Sequence, residues 1–315
     1  MRQVRIAEIR DEAEDIKSFR LVADDGQPLP AFTAGAHIDV HTAPGLVRQY
    51  SLCNGPEDVD HYLIAVKREP QSRGGSAAMH VAKSGDVLTI GAPRNTFPLA
   101  EGARRHLLFA AGIGVTPLLS MARHIDRDGG TYRLHYFTRS ERGTAFRALL
   151  DADPYRERTE FHIGVPPDAL AGLLPELLRE RDSGDHLYVC GPVPFMDLVR
   201  ASAEGAGWAK DSLHFEYFGA APEAGEGEPF EVELARSGLV IAVERGQTLL
   251  QALRCAGIDV ESSCEQGTCG TCATMLLEGE PDHRDRFLSD DQKDENMIIM
   301  PCVSRAKSRR LVLDL

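Results

Sequence analysis

The sequence predicts a three-part chain: an antiparallel β-barrel or sandwich, then a doubly wound parallel α/β sheet, then a small cysteine-bearing module. Three observations carry this. Residues 4–98 are short alternating apolar runs broken by Gly, Pro and Asp. Residues 101–218 alternate apolar strand runs with helical stretches. Four cysteines then follow a stretch at 220–229 that is rich in Pro, Gly and Glu and has no apolar period, which reads as an exposed linker.

Bulk composition sets the class. A chain of 315 residues exceeds one ordinary domain, which holds about 100–200. Its 43% apolar and 26% charged residues are globular proportions. A net charge of -13 excludes partners that bind through clustered Lys and Arg, namely nucleic-acid backbones and anionic membranes. The first residues hold no apolar stretch of signal-peptide length, and no later segment reaches about 18 uninterrupted apolar residues. The expectation is a soluble cytoplasmic protein. Seven cysteines, an odd number without a leader, fit a disulfide framework poorly.

In the first section, Tyr62-Leu63-Ile64-Ala65-Val66 and Val87-Leu88-Thr89-Ile90 read as strands. Along Arg48-Gln49-Tyr50-Ser51-Leu52, Arg48 and Tyr50 share a face and Ser51 points away. A guanidinium suits a phosphate, and a tyrosine ring suits a flavin. Arg73-Gly74-Gly75-Ser76 offers backbone donors and a hydroxyl, the makings of an anion nest. Taken singly, each also describes a solvated strand Arg or an ordinary Gly-Gly turn. His37 and His41 would stand about 13 Å apart on a strand, too far to share a metal ion.

In the second section, residues 107–111 form a buried strand run, and Leu118, Met121, Ala122 and Ile125 share one face of the following helix. Further strands are expected at 132–138, 159–163, 187–190 and 213–218. The first strand runs into Gly112-Ile113-Gly114-Val115-Thr116-Pro117, where glycines would admit phosphates to the backbone and Thr116 and Pro117 suit a helix cap and first turn. An isolated Gly-x-Gly fits a plain strand-to-helix turn equally well. Cys190-Gly191-Pro192 closes the fourth strand and faces the same crevice, since ligands bind at the carboxyl ends of such strands. After Thr138, Arg139 and Arg142 would welcome a 2′-phosphate while Glu141 would repel one, which leaves NADH and NADPH open.

In the third section, runs at 230–234 and 239–243 precede a short helix with a Thr248/Gln251 capping box and a stop at Gly257. Cys264, Cys269 and Cys272 stand as Cys-x4-Cys-x2-Cys, with Cys302 far downstream, the plant-type 2Fe-2S ligand spacing. Gly267 and Gly270 let the loop fold where Cβ atoms would crowd. Zinc is the alternative for Cys-x2-Cys, although zinc ribbons usually pair two such knuckles. Cys53 and Cys255 read as small core residues. His283-Arg284-Asp285 looks like a kinase triplet but lacks the motifs that accompany one.

In this order Arg48-x-Tyr50-Ser51, Gly74-Gly75-Ser76, Gly112-x-Gly114-x-Thr116-Pro117, Cys190-Gly191-Pro192 and the four cysteines resemble the phthalate dioxygenase reductase family, with vanillate demethylase reductases as near relatives. The resemblance spans essentially the whole chain. It implies an antiparallel flavin-binding β-barrel at 1–100, a doubly wound parallel-sheet NAD domain at 101–221, a linker at 222–229 and a plant-type ferredoxin β-grasp domain at 230–315. It implies FMN held by Arg48, Gln49, Tyr50, Ser51, Ala65, Val66, Lys67, Arg73, Gly74, Gly75, Ser76 and Thr116. The phosphate would lie on Arg48 and the loop from Arg73. Phe218 would cover the flavin, with core packing as the alternative, and Glu216 would stand near the hydride, with an exposed strand-end carboxylate as the alternative. NADH would meet Gly112, Gly114, Thr138, Arg139, Cys190, Gly191 and Pro192, with Cys190 near the nicotinamide and Ser51 and Thr116 near the reactive flavin edge. Ala111 departs from the pattern, since relatives commonly carry another glycine there. The implied activity passes electrons from NADH through FMN and the cluster to a terminal Rieske-type aromatic-ring dioxygenase or O-demethylase. Alternatives are a monooxygenase as acceptor, or a non-enzymatic iron–sulfur redox sensor.

Overall fold

Apolar side chains alternate along the first six strands because one face of each must turn inward. They are β1 (Arg2–Ala13), β2 (Ile16–Ala23), β3 (His37–Ala43), β4 (Leu46–Ser51), β5 (Tyr62–Lys67) and, after the short helix α1 (Gly75–Val81), β6 (Val87–Ile90). The computed structural model describes residues 1–315 apart from 44, 45, 71, 73, 219–226, 263, 264, 266, 268 and 269. Arg73, Cys264, Cys269 and most of the expected linker therefore lie outside the described residues. The six strands pair antiparallel in the order β4-β3-β6-β1-β2-β5 around Val4, Ile6, Phe19, Leu21, Ile38, Val40, Ile64 and Ile90. Leu52 bridges Ile64, and Cys53 N–H donates to Leu63 O at 2.7 Å. These bonds join the sheet's two edge strands, so the section is a barrel rather than a sandwich.

The second sheet is parallel throughout. Its elements are β7 (Arg105–Ala111), α2 (Val115–Arg127), β8 (Tyr132–Thr138), α3 (Arg147–Leu150), β9 (Thr159–Ile163), α4 (Pro167–Arg179), β10 (Asp185–Gly191), α5 (Val193–Gly205) and β11 (Leu213–Tyr217), with sheet order β11-β10-β7-β8-β9. Leu118, Met121, Ala122 and Ile125 are buried on one face of α2, each large side chain adding about 1.5–3 kcal/mol of burial. Thr116 is not the helix cap. A 3-10 turn over Gly112–Gly114 winds straight into α2, so Gly114 holds the cap position and Thr116 is already in the first turn, its hydroxyl donating to Ile113 O at 3.0 Å.

One apolar cluster joins barrel residues Ile16, Cys53 and Ala65 to Leu108, Leu118, Tyr136 and Tyr188 of the α/β layer, and Ser120 Oγ donates to Asn54 O at 2.8 Å. Met1–Phe218 is accordingly one compact unit, and Gly219–Leu315 is the other.

The second unit contains β12 (Phe230–Leu234), β13 (Leu239–Val243), α6 (Leu249–Cys255), β14 (Thr274–Glu278), β15 (Pro281–Asp282), α7 (Asp290–Glu295), β16 (Ile298–Ile299), β17 (Arg305–Ala306) and β18 (Arg310–Leu313). Its mixed sheet, β13-β12-β18-β14-β16, pairs β12 with β18 parallel, and with α6 on its apolar face it forms a β-grasp. The Thr248/Gln251 capping box starts α6. Cys255 is exposed, not a core residue, because the buried face of α6 passes through Leu249, Leu250 and Leu253.

Candidate functional site

The strand ends of the first unit converge. β4 ends at Ser51, whose Oγ stands 3.5 Å from Oε2 of Glu216 on β11. Glu216 pairs in register with Cys190 of β10, and Cys190 pairs with Ala110 of β7, so the carboxyl ends of three parallel strands meet the barrel strand here. Burial pushes the Glu216 carboxyl up to about 8, against the opposing pull of the Ser51 hydrogen bond. The residue is half-buried, but protein atoms surround its carboxyl. At pH 7 it is mostly neutral. Cys190 is fully buried, and burial with Glu216 beside it drives its thiol far up, so it is not a thiolate. Phe218 is half-buried and packs against the joining apolar cluster.

The glycines at these strand ends serve different purposes. A Cβ on Gly114 would lie 2.2 Å from Cys190 O and 2.7 Å from Gly191 N, and one on Gly191 would lie 2.7 Å from Ala111 Cβ. Gly114 is small so that backbone can pack on backbone, and Gly191 so that the Ala111 methyl and the Phe195 ring can approach. Gly112, by contrast, takes φ +56 and has open space where its Cβ would be. Tyr136 OH donates to Gly112 O at 3.1 Å and steadies the turn. Pro192 leads into α5. Thr138 is buried, its hydroxyl bonded to that of Thr144 at 2.8 Å, whereas Arg139 is exposed. Glu141 is held by Arg147 at 3.0 Å.

On the barrel, the Gly74 to Ser76 turn folds onto Arg48: a Cβ on Gly75 would lie 2.6 Å from Arg48 Cγ. Gly74 takes φ +104, and its N–H donates to Ser72 Oγ at 3.2 Å. Ser76 Oγ bonds Ser72 Oγ at 3.0 Å. A guanidinium and a glycine turn remote in sequence thus share one place, which suits a phosphate. Tyr50 is largely enclosed, and burial raises its hydroxyl to about 12, so it stays a neutral ring. Gln49 reaches instead to Asp39 Oδ1 at 3.2 Å and to the His37 ring at 3.3 Å. Ala65 and Val66 are buried, while Lys67 pairs at the surface with Glu69 at 3.3 Å.

In the second unit, Cys272 and Cys302 are both buried, and their sulfurs lie 3.3 Å apart although 30 positions separate them. Gly267 and Gly270 take φ of +73 and +74, and their Cβ atoms would lie 2.6 Å from Val303 Cγ2 and 2.3 Å from the Phe287 ring. Arg286 N–H donates to Gly267 O at 2.9 Å, so the segment after His283 closes over the cysteine loop. Converging soft donors in a tight, glycine-dependent loop fit a thiolate-held iron–sulfur cluster. Sequence reading missed the lining of this loop. Asp285 is buried and accepts from Leu288 N–H at 2.9 Å, and a Cβ on Gly267 would lie 3.0 Å from its Cα. It also missed a His135, Glu160 and His162 cluster, whose visible signal was a Glu-x-His pair on one strand.

A flavin-type barrel fused to a nucleotide-type parallel sheet, followed by a β-grasp module with converging cysteines, defines the iron–sulfur flavoprotein oxidoreductases that pass electrons onward. The comparisons narrow this. The 2Fe-2S iron-sulfur cluster binding domain matches residues 232–307, and the N-terminal domain of dimethylamine monooxygenase subunit DmmA-like proteins matches 92–213. A vanillate O-demethylase oxidoreductase of Pseudomonas sp. (strain HR199 / DSM 7063) is 47% identical over the full length of both chains. The carnitine monooxygenase reductase subunit of Escherichia coli (strain K12) is 41% identical over 100% of this chain and 98% of its own. The solved structure of phthalate dioxygenase reductase, described as modular for electron transfer from pyridine nucleotides to 2Fe-2S, superposes with a TM-score of 0.80 at 43% identity, covering 99% of this chain and 97% of its own. The chain belongs to the phthalate dioxygenase reductase family, and it is an oxidoreductase. Among the described residues no helix is long and apolar enough to cross a membrane.

Proposed function

We propose that the protein is the NADH-oxidising reductase component of a cytoplasmic oxygenase system, with FMN and a 2Fe-2S cluster as its resident groups and a terminal oxygenase as its acceptor. The observation that carries this is the convergence of Ser51 and Glu216 at the carboxyl end of the parallel sheet, in a chain whose second unit brings Cys272 and Cys302 together. In functional terms residues 1–100 would bind FMN, 101–221 the nicotinamide, and 230–315 the cluster, with 222–229 as linker. When bound, the flavin supplies the conversion between a two-electron hydride donor and a one-electron cluster.

The protein's part is placement and charge. Arg48 would set a fixed positive charge for the flavin phosphate, and the Gly74, Gly75 and Ser76 turn lies against its stem with backbone donors. Arg73, outside the described residues, is a further candidate for the same phosphate. Tyr50 offers a neutral ring, and Ala65 and Val66 an apolar wall. Ser51 Oγ holds a proton at the barrel side of the crevice, and Glu216, neutral at pH 7, adds no negative charge where a hydride must arrive. Cys190 fills space beside it as a neutral thiol, and Phe218 covers the ring. Thr116 acts through the turn it braces. Gly112 leaves room for the pyrophosphate, and Arg139 is the exposed cation at the ribose end. Gly191 and Pro192 shape the facing strand end, as Thr138 does beside Arg139. Cys264, Cys269, Cys272 and Cys302 would hold the cluster.

An aromatic-ring dioxygenase or O-demethylase of Rieske type is the leading partner, and a monooxygenase is the second, favoured by the carnitine monooxygenase reductase subunit among the relatives. The test is cofactor analysis with paired kinetics: acid extraction should release about one FMN per chain and about two irons. NADH should exceed NADPH in kcat/KM. Recovery of FAD, or a preference for NADPH, overturns the corresponding part of the reading.

A further inference from the structure

We propose that His135, Glu160 and His162 form a zinc-type divalent cation site on the edge of the parallel sheet, apart from the flavin and cluster sites. His135 lies in β8 and pairs in register with Glu160 of β9, the edge strand, while His162 follows Glu160 by two residues on the same strand face. His135 Nδ1 stands 3.0 Å from His162 Nε2, 3.7 Å from Glu160 Oε2, and Glu160 Oε1 stands 3.6 Å from His162 Nε2. A zinc ion bound tetrahedrally at about 2.0–2.1 Å places its ligand atoms about 3.3 Å apart. The three residues bring one ligand atom each to within 4.8 Å of one another, and because Glu160 reaches His135 through Oε2 and His162 through Oε1, a rotation of its exposed carboxylate is what closes one face of such a tetrahedron.

Packing fixes the donors in place. His162 stacks on Phe137 at 4.3 Å and on His135 at 5.3 Å, and Phe109 lies 4.8 Å from the His135 ring. Both imidazoles are buried, which holds them in the neutral, ligating form. Glu160 is 40% exposed, so the fourth position opens to water, and Arg133, 3.3 Å from Glu160 Oε2, is the cation that an incoming ion displaces. Binding breaks the hydrogen bond between the two rings. The shared proton's ring changes tautomer, its proton moving to the outer nitrogen, and no net proton need be released. The same sheet contains an internal control. His186 Nδ1 and His214 Nε2 pair at 2.9 Å, and among the described residues no third His, Cys, Asp or Glu completes that pair. Two histidines meeting across strands are therefore common here, and the carboxylate is what sets the first pair apart.

The probe is Zn2+ itself, titrated by calorimetry into full-length protein with flavin and cluster intact, with Mg2+ as control. The expected result is one Zn2+ per chain at low-micromolar affinity, no heat with Mg2+, and a raised unfolding temperature. Glu160→Gln, a change at an exposed side chain that the fold tolerates, should weaken binding about tenfold or more and remove the thermal effect. His162→Asn should abolish both. Isotherms equal in wild type and both variants, or no zinc binding in wild type, overturn the site. A loss confined to His162→Asn overturns the carboxylate ligand and with it the three-donor site.

Discussion

Ser51 Oγ and Glu216 Oε2 stand 3.5 Å apart across 165 positions of sequence, where the barrel meets the last strand of the parallel sheet. The Glu216 carboxyl is held up to about 8 by burial. As pH rises from about 4.5, the unfolded carboxyl ionises while the folded one keeps its proton. The unfolded state then binds fewer protons, and stability falls between roughly pH 4.5 and 8, by up to about 5 kcal/mol. Glu216→Gln keeps the shape without the titration. Its unfolding temperature should therefore exceed that of wild type increasingly from pH 5 to pH 8. Parallel pH profiles for the two proteins would show that the burial of this carboxyl is not as described.

Gly114→Ala should fail where Gly112→Ala is tolerated. The added methyl at 114 meets the Cys190 carbonyl and the Gly191 amide, backbone atoms that cannot rotate away, and should cost about 1–3 kcal/mol or more. At 112 the space is open and only the positive φ is strained, at about 1 kcal/mol. Thermal melts should rank wild type, then Gly112→Ala, then Gly114→Ala. The KM for NADH should rise in the last, because the strand ends that shape the crevice are forced apart.

Cys302→Ser should release the cluster without touching the first unit. A serine oxygen is a poor substitute for a thiolate, and Cys302 and Cys272 face each other at 3.3 Å. Iron per chain should drop well below that of wild type, while NADH-driven ferricyanide reduction stays within about twofold. Full iron retention would remove Cys302 from the ligand set.

A chain ending at Phe218 should fold and keep NADH-driven ferricyanide reduction, since the apolar cluster joining the barrel to the α/β sheet is complete within residues 1–218. It should lose electron delivery to the cognate oxygenase. Oxygenase turnover at near the full-length rate would mean that the cysteine module is not the electron exit.

Local pattern and spacing were enough for much of this protein. Strands 132–138, 159–163, 230–234 and 239–243, the buried face of α2 and the Thr248 capping box follow from period, propensity and cap chemistry, which act over a few residues. The cysteine spacing likewise announces a cluster before any fold is known. What only the tertiary structure decided depends on long-range packing. It made the first section a barrel through the Leu52 and Ile64 bridge, started α2 at Val115 and left Cys255 outside. It showed that Gly114 is needed for a close backbone approach to Cys190 and Gly191. The neutrality of Glu216 and the meeting of His135 with His162 belong to the same group, since desolvation and cross-strand register exist only once segments far apart in sequence have been packed together.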